Sequence, residues 1–99
     1  MKTIWKYPID LDDRQRIRFR KGAQILKANM QGEQLCIWAL VDSEAKEEYR
    51  EIAIFGTGHE IPEDLNLKFI STVANPPFVW HIFEVLFIVK EGSEEKTQC

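Results

Sequence analysis

Arg16-Ile17-Arg18-Phe19-Arg20 alternates charged and apolar residues at every step. A period of two marks a strand, with Ile17 and Phe19 on one face and three arginines on the other. Asp10, Asp12 and Asp13 mark a turn before it, and Lys21-Gly22 turns the chain after it. Upstream, residues 4–9 (Ile-Trp-Lys-Tyr-Pro-Ile) form a short strand, which Pro8 assigns to an edge or near its end. Downstream, residues 23–30 are a third strand. Gln31-Gly32-Glu33 is a tight hairpin into residues 35–41 (Leu-Cys-Ile-Trp-Ala-Leu-Val), which are apolar on both faces and therefore central.

The polar run 42–50 reads as a loop, with one or two helical turns as the alternative, leading to a fifth strand at 50–55. A long loop follows, 56–67, in which Glu63-Asp64-Leu65 after Pro62 suits one 3₁₀ turn. Residues 68–73 are the sixth strand, Asn75-Pro76-Pro77 breaks it, and 78–89 are the seventh. Seven short strands with turn signals between them predict an all-β fold, a small antiparallel β-sandwich or barrel. The domain covers residues 1–89, and the charged, apolar-poor segment 90–99 is expected to be a flexible tail.

Ninety-nine residues allow one domain. Hydrophobic residues make up 44% and charged residues 29%, as in ordinary soluble proteins. A net charge of −3 argues against general nucleic-acid binding, which draws on a basic excess. No apolar run approaches the roughly 18 residues of a membrane helix, and the amino-terminal residues do not read as a signal peptide. Cys36 within a strand and Cys99 at the last position make a poor disulfide framework. A reduced, cytosolic setting is expected.

Two segments stand out chemically. Gly56-Thr57-Gly58-His59 closes an apolar strand, and Phe78-Val79-Trp80-His81-Ile82-Phe83-Glu84 follows some twenty residues later; together they hold both histidines. Glycines flanking a threonine can turn backbone N–H groups toward an anion, with His59 adding a donor; the alternative is a plain turn that His59 caps. No helix pattern follows, so this is not a dinucleotide fingerprint.

By strand parity Phe78, Trp80, Ile82 and Glu84 share one face, and Val79, His81, Phe83 and Val85 the other. His81 then reads as a core histidine, or as the partner of His59 across adjacent strands in a metal face with Glu60 or Glu84. No HxH, HExxH or CxxC spacing backs the metal, and neither a metal nor a cofactor is expected. Trp5 and Trp80 are candidates to stack on a base, whereas Trp38 fits a core. Arg16 and Arg18, with Arg50, are candidates to balance an anion; the other reading of Arg16, Arg18 and Arg20 is a solvated edge protected by charge, partly neutralised by the nearby aspartates. A GxSxG elbow is missing, and no carboxylate pair sits in an apolar setting, so nucleophilic catalysis is not indicated.

Residues 2–9, Lys21-Gly22-Ala23-Gln24-Ile25-Leu26, residues 35–42, Gly56-Thr57-Gly58-His59, Ile70-Ser71-Thr72 and Val79-Trp80-His81-Ile82-Phe83-Glu84, in that order, resemble a family of small uncharacterised proteins encoded mostly by tailed bacteriophages and prophages. The resemblance covers residues 2–84. That family usually has a proline where this chain has Arg20 or Lys21, and it commonly ends near Glu84, so residues 85–99 read as an addition. The resemblance implies a phage setting and a β-rich domain, without a reaction.

The residues and the resemblance together point to a non-enzymatic phage accessory protein in the host cytosol, expected to be a homo-oligomer. It would sequester a small anionic, nucleotide-type ligand through Gly56, Thr57, Gly58, His59, Trp80 and His81, with Trp5, Arg16, Arg18 and Arg50 in support. The alternatives are a protein–protein module that inhibits a host factor, and a small metal-dependent hydrolase built on His59 and His81.

Overall fold

A computed structural model of the protein describes residues 1–88 as seven antiparallel strands in two sheets, with no helix among the described residues. The strands are β1 (Lys2–Ile9), β2 (Arg14–Arg20), β3 (Gln24–Gln31), β4 (Gln34–Asp42), β5 (Glu47–Gly56), β6 (Leu65–Asn75) and β7 (Phe78–Ile88). One sheet has the order β1-β4-β3 and the other β2-β5-β7-β6. The expected all-β fold of seven strands is therefore present, as a two-sheet sandwich. Residue 89, the last of the expected seventh strand, and the expected tail at 90–99 lie outside the described residues.

Alternation decides which side chains go inside. Leu35, Ile37, Ala39 and Val41 of β4 meet Phe19 of β2, Ile52 and Ile54 of β5, Val73 of β6 and Ile82 of β7 in one core, all nearly without solvent contact. Removing this much apolar surface from water is the main stabilising contribution. β4 is central in its sheet, as its two-sided apolar pattern predicts, and Pro8 lies on the edge strand β1. Gly32 occupies the first of two loop residues between β3 and β4 at φ 62°, which a type II′ hairpin requires of that position.

Three expectations are corrected. β5 begins at Glu47, not at residue 50, because Glu47–Arg50 pair with Ile17–Arg20 of β2 and Glu47 meets Arg18 and Arg20 there. A polar run becomes strand when its charges are neutralised across the ladder. The loop after β5 is shorter than 56–67, because β6 starts at Leu65; the Leu65 N–H donates to Pro62 O at 3.4 Å in a single turn, not a 3₁₀ helix. Trp38 is not in the core: it lies on the outer face of the three-stranded sheet, directly opposite Lys6 on one side and Lys27 on the other.

Side chains close the two seams between the sheets. On one side Gln15 brackets the backbone of Asp10, accepting from its N–H at 3.0 Å and donating to its C=O at 2.7 Å, while the Tyr7 and Phe19 rings meet at 4.6 Å. On the other, the Ala28 N–H of β3 donates to Ser71 Oγ of β6 at 3.0 Å. The result is a slab of 45 × 39 × 16 Å.

Candidate functional site

The end of β5 and the start of β7 are neighbours because the ladder pairs Gly56 with Trp80 and Phe55 with His81. The chain leaves β5 through a turn in which the His59 N–H donates to Gly56 O at 3.0 Å and Gly58 sits at φ 87°. This is the type II arrangement, whose third residue needs a positive φ and hence glycine. The His59 ring folds back over the turn, and its Nδ1 accepts the Gly56 N–H at 3.3 Å. That bond puts the proton of a neutral imidazole on Nε2 and makes that atom a donor. A Cβ on Gly56 would lie 2.8 Å from the His59 ring, so glycine is what lets the imidazole close on the backbone.

Gly56, Thr57, His59 and Trp80 line one hollow together with Pro77, Phe78 and Val79, with a volume of about 380 Å³. Phe78 and Trp80 stack with centroids 5.2 Å apart and planes inclined by 23°. The Trp80 indole N–H is buried without a hydrogen-bond partner, an unusual state for a donor. No lysine or arginine borders the hollow. A smaller hollow of about 220 Å³ shares His59 and contains Arg14 beside Asp13 and Glu60; Arg14 is already paired with Glu51. The site is thus a flat aromatic wall and an imidazole, with little positive charge.

Of the other residues singled out in the sequence, His81 touches the turn from the opposite face of the sheet and the rest lie elsewhere. His81 points to the opposite face of β7, as parity requires. It is not a core histidine: Thr57 Oγ1 lies 2.8 Å from its Nε2 and Thr72 Oγ1 3.1 Å from its Nδ1, so both ring nitrogens are engaged. Hydroxyls donate or accept as needed, so this bracket suits either tautomer. With both nitrogens occupied, and no group of three His, Cys, Asp or Glu placed to hold a metal ion among the described residues, the geometry does not support the paired-histidine metal face.

Arg16 and Arg18 stand over the Tyr49 ring at 4.4 and 5.3 Å, and Arg18 bonds Glu47 and the Tyr49 hydroxyl. Their partners are therefore on β5, not the aspartates of the preceding turn. Tyr49 is seven residues from Gly56 along β5, about 23 Å at strand rise. Arg50 faces inward, where Nε and Nη2 grip the Glu84 carboxylate at 2.6 and 2.8 Å and Nη1 donates to Ala23 O at 2.6 Å. The Glu84 hydrogen bonds push the Arg50 pKa above its usual value. Trp5 lies under the Arg20 guanidinium, and Arg20 pairs with Glu47 at the far end of β5. None of these five joins the glycine turn.

Phe78, Pro77 and Val79 were not read as site residues. The signal that finds them is the two-residue link Pro76-Pro77 between β6 and β7, which carries Phe78 back beside the turn at Gly56.

The protein-family model "Domain of unknown function (DUF7352)" matches residues 1–90, and the chain belongs to this family. The matched span takes in all seven strands. No curated protein and no solved structure matches the chain. No helix among the described residues is long and apolar enough to cross a membrane.

Proposed function

We propose that this family member is a non-enzymatic binding domain that takes a small planar ligand of nucleobase type in the hollow between the glycine turn and β7. The observation that carries it is the convergence of the Phe78–Trp80 stack with His59 around one volume of about 380 Å³. That volume is at the small end of ligand sites and fits a single heteroaromatic unit. Ring stacking on an aromatic wall is worth about 1–3 kcal/mol per base, and His59 Nε2–H offers a donor to a ring acceptor.

The absence of a lysine or arginine from the lining makes the ring, not a phosphate, the recognised part; a charged group would extend into solvent past His59. The phage setting that the resemblance implies makes a host-made nucleotide the natural candidate and the host cytosol the place of capture.

Thermal-shift measurements on the full chain with nucleosides, nucleotides, cyclic dinucleotides and inorganic phosphate test this directly. Base-bearing ligands should raise Tm, by the equivalent of about 2.7 kcal/mol at a hundredfold excess over Kd. Phosphate alone should not, and Phe78→Ala should remove the effect. No shift with any base-bearing ligand, or a shift with phosphate alone, overturns the reading; ligand degraded on incubation overturns its non-enzymatic part.

A module that blocks a host protein through exposed aromatics is the second reading. It rests on a different region, the outer face of the four-stranded sheet, where Phe69 is 56% exposed.

A further inference from the structure

The four-stranded sheet is apolar on both faces over half of its width. Its inner face is covered by the β1-β4-β3 sheet. On its outer face Phe83 of β7 is flanked edge-on by Phe55 of β5 at 5.9 Å and by Phe69 of β6 at 5.5 Å. Beyond the His81–Thr72 pair, which bond each other on the same face, Val79 of β7, 40% exposed, extends the apolar surface with Ala74 of β6 opposite it. A sheet with two apolar faces is normally covered on both. β6, at the margin of this face, carries only Lys68 as a charge in eleven residues, whereas margins left in solvent are usually guarded by several.

We propose that a second copy of this chain covers the stripe, in a two-fold dimer centred on Phe69 and Phe83. Three observations select that occupant. The broad face measures 45 × 39 Å, and its aromatic half is close to the roughly 800 Å² that each partner contributes to a standard interface. An apolar stripe is complementary to itself and needs no matching charge, as an isologous contact requires. Residues 89–99 hold Val89 as their one aliphatic side chain, so that segment has too little apolar surface to cover three phenylalanines. Val79 also lines the ligand hollow, so the dimer contact borders the site and a ligand there lies beside the second copy.

Sedimentation velocity of the full chain at about 100 µM, above the micromolar Kd of a weak interface of this size, should give about twice the 11.6 kDa chain mass. Phe69→Glu and, separately, Ala74→Arg should each return it to the single-chain mass with unchanged β-type circular dichroism. Both positions are exposed, so the monomer tolerates them. Ile4→Glu, exposed on the outer face of the other sheet, should leave the dimer intact. A single-chain mass for the unaltered protein overturns the proposal and gives the stripe to another partner. A double mass that survives both Phe69→Glu and Ala74→Arg, or one lost only with Ile4→Glu, overturns it as well.

Discussion

The outer face of the four-stranded sheet has two halves built on opposite rules. Along β2 and the first half of β5, arginines and acids satisfy one another: Arg14 with Glu51, Arg18 with Glu47, and Arg16 and Arg18 over Tyr49. Along β7, β6 and the second half of β5, Phe55, Phe83 and Phe69 meet edge to edge, with Phe69 exposed and the other two half-buried. The ionic half has its partners within the chain and can remain in water at little cost. The aromatic half leaves apolar area unburied, a cost that association removes. One strand, β5, passes through both halves and changes character between Glu51 and Ile52.

The sharpest break in this comparison lies beneath it, where a third ion pair is turned inward. Arg50 and Glu84 are only 19% and 10% exposed. Glu84→Ala leaves the guanidinium half-desolvated and uncompensated, and should cost about 3 kcal/mol, or roughly 10–20 °C in Tm. Calorimetry reads this directly; a loss below that of the outer pairs would mean burial does not distinguish them.

Next in size is Phe83→Ala. It removes the ring that links Phe55 to Phe69 and should cost about 2 kcal/mol in chemical denaturation. An unchanged midpoint would show that the stripe contributes nothing to the monomer and matters only in contact with a partner.

Arg18→Ala, in the ionic half, should cost much less than either, because exposed ion pairs are screened by water, and the difference should vanish near 1 M salt, where the screening length is about 3 Å. The smallest effect belongs to a pair of the same exposed kind elsewhere. The Asp42 carboxylate accepts from the Glu44 N–H at 3.1 Å and the terminal amine at 3.2 Å, which lowers its pKa below the usual aspartate value. A depressed carboxylate adds stability above its unfolded pKa of about 3.9 and loses it as pH falls through the folded value. The Tm gap between the unaltered chain and Asp42→Asn should therefore be present at pH 7 and close in acid.

Most of the fold is written in local alternation. Two-residue periodicity is plain in residues 16–20, while residues 35–41 read as a central strand because they are apolar on both faces. The start of β5 is hidden because Glu47-Glu48-Tyr49 becomes strand only by pairing with Arg18-Phe19-Arg20, some thirty residues earlier. The site was legible as far as it follows a ladder: Gly56 beside Trp80 is one register step. Trp5, Arg16, Arg18 and Arg50 were drawn to it by chemistry alone. Residue type carries no record of which end of a strand a side chain occupies, and these four sit at the other end or on the other side. Parity placed Val79, His81 and Phe83 on a common face, but alternation does not say which face is wet.

The seam between β3 and β6 is bridged by a serine hydroxyl, not by a continuous ladder. Bulges at Leu26 and Ile70 splay the backbones on either side of a cleft of about 380 Å³. The sandwich thus behaves like a book bound along its β1–β2 side and fastened along the other by two clasps, Ser71 to the Ala28 amide and Arg50 to the Ala23 carbonyl. The Ala28 amide can therefore exchange its proton for deuterium only when that seam opens, which makes it a reporter of the two sheets parting.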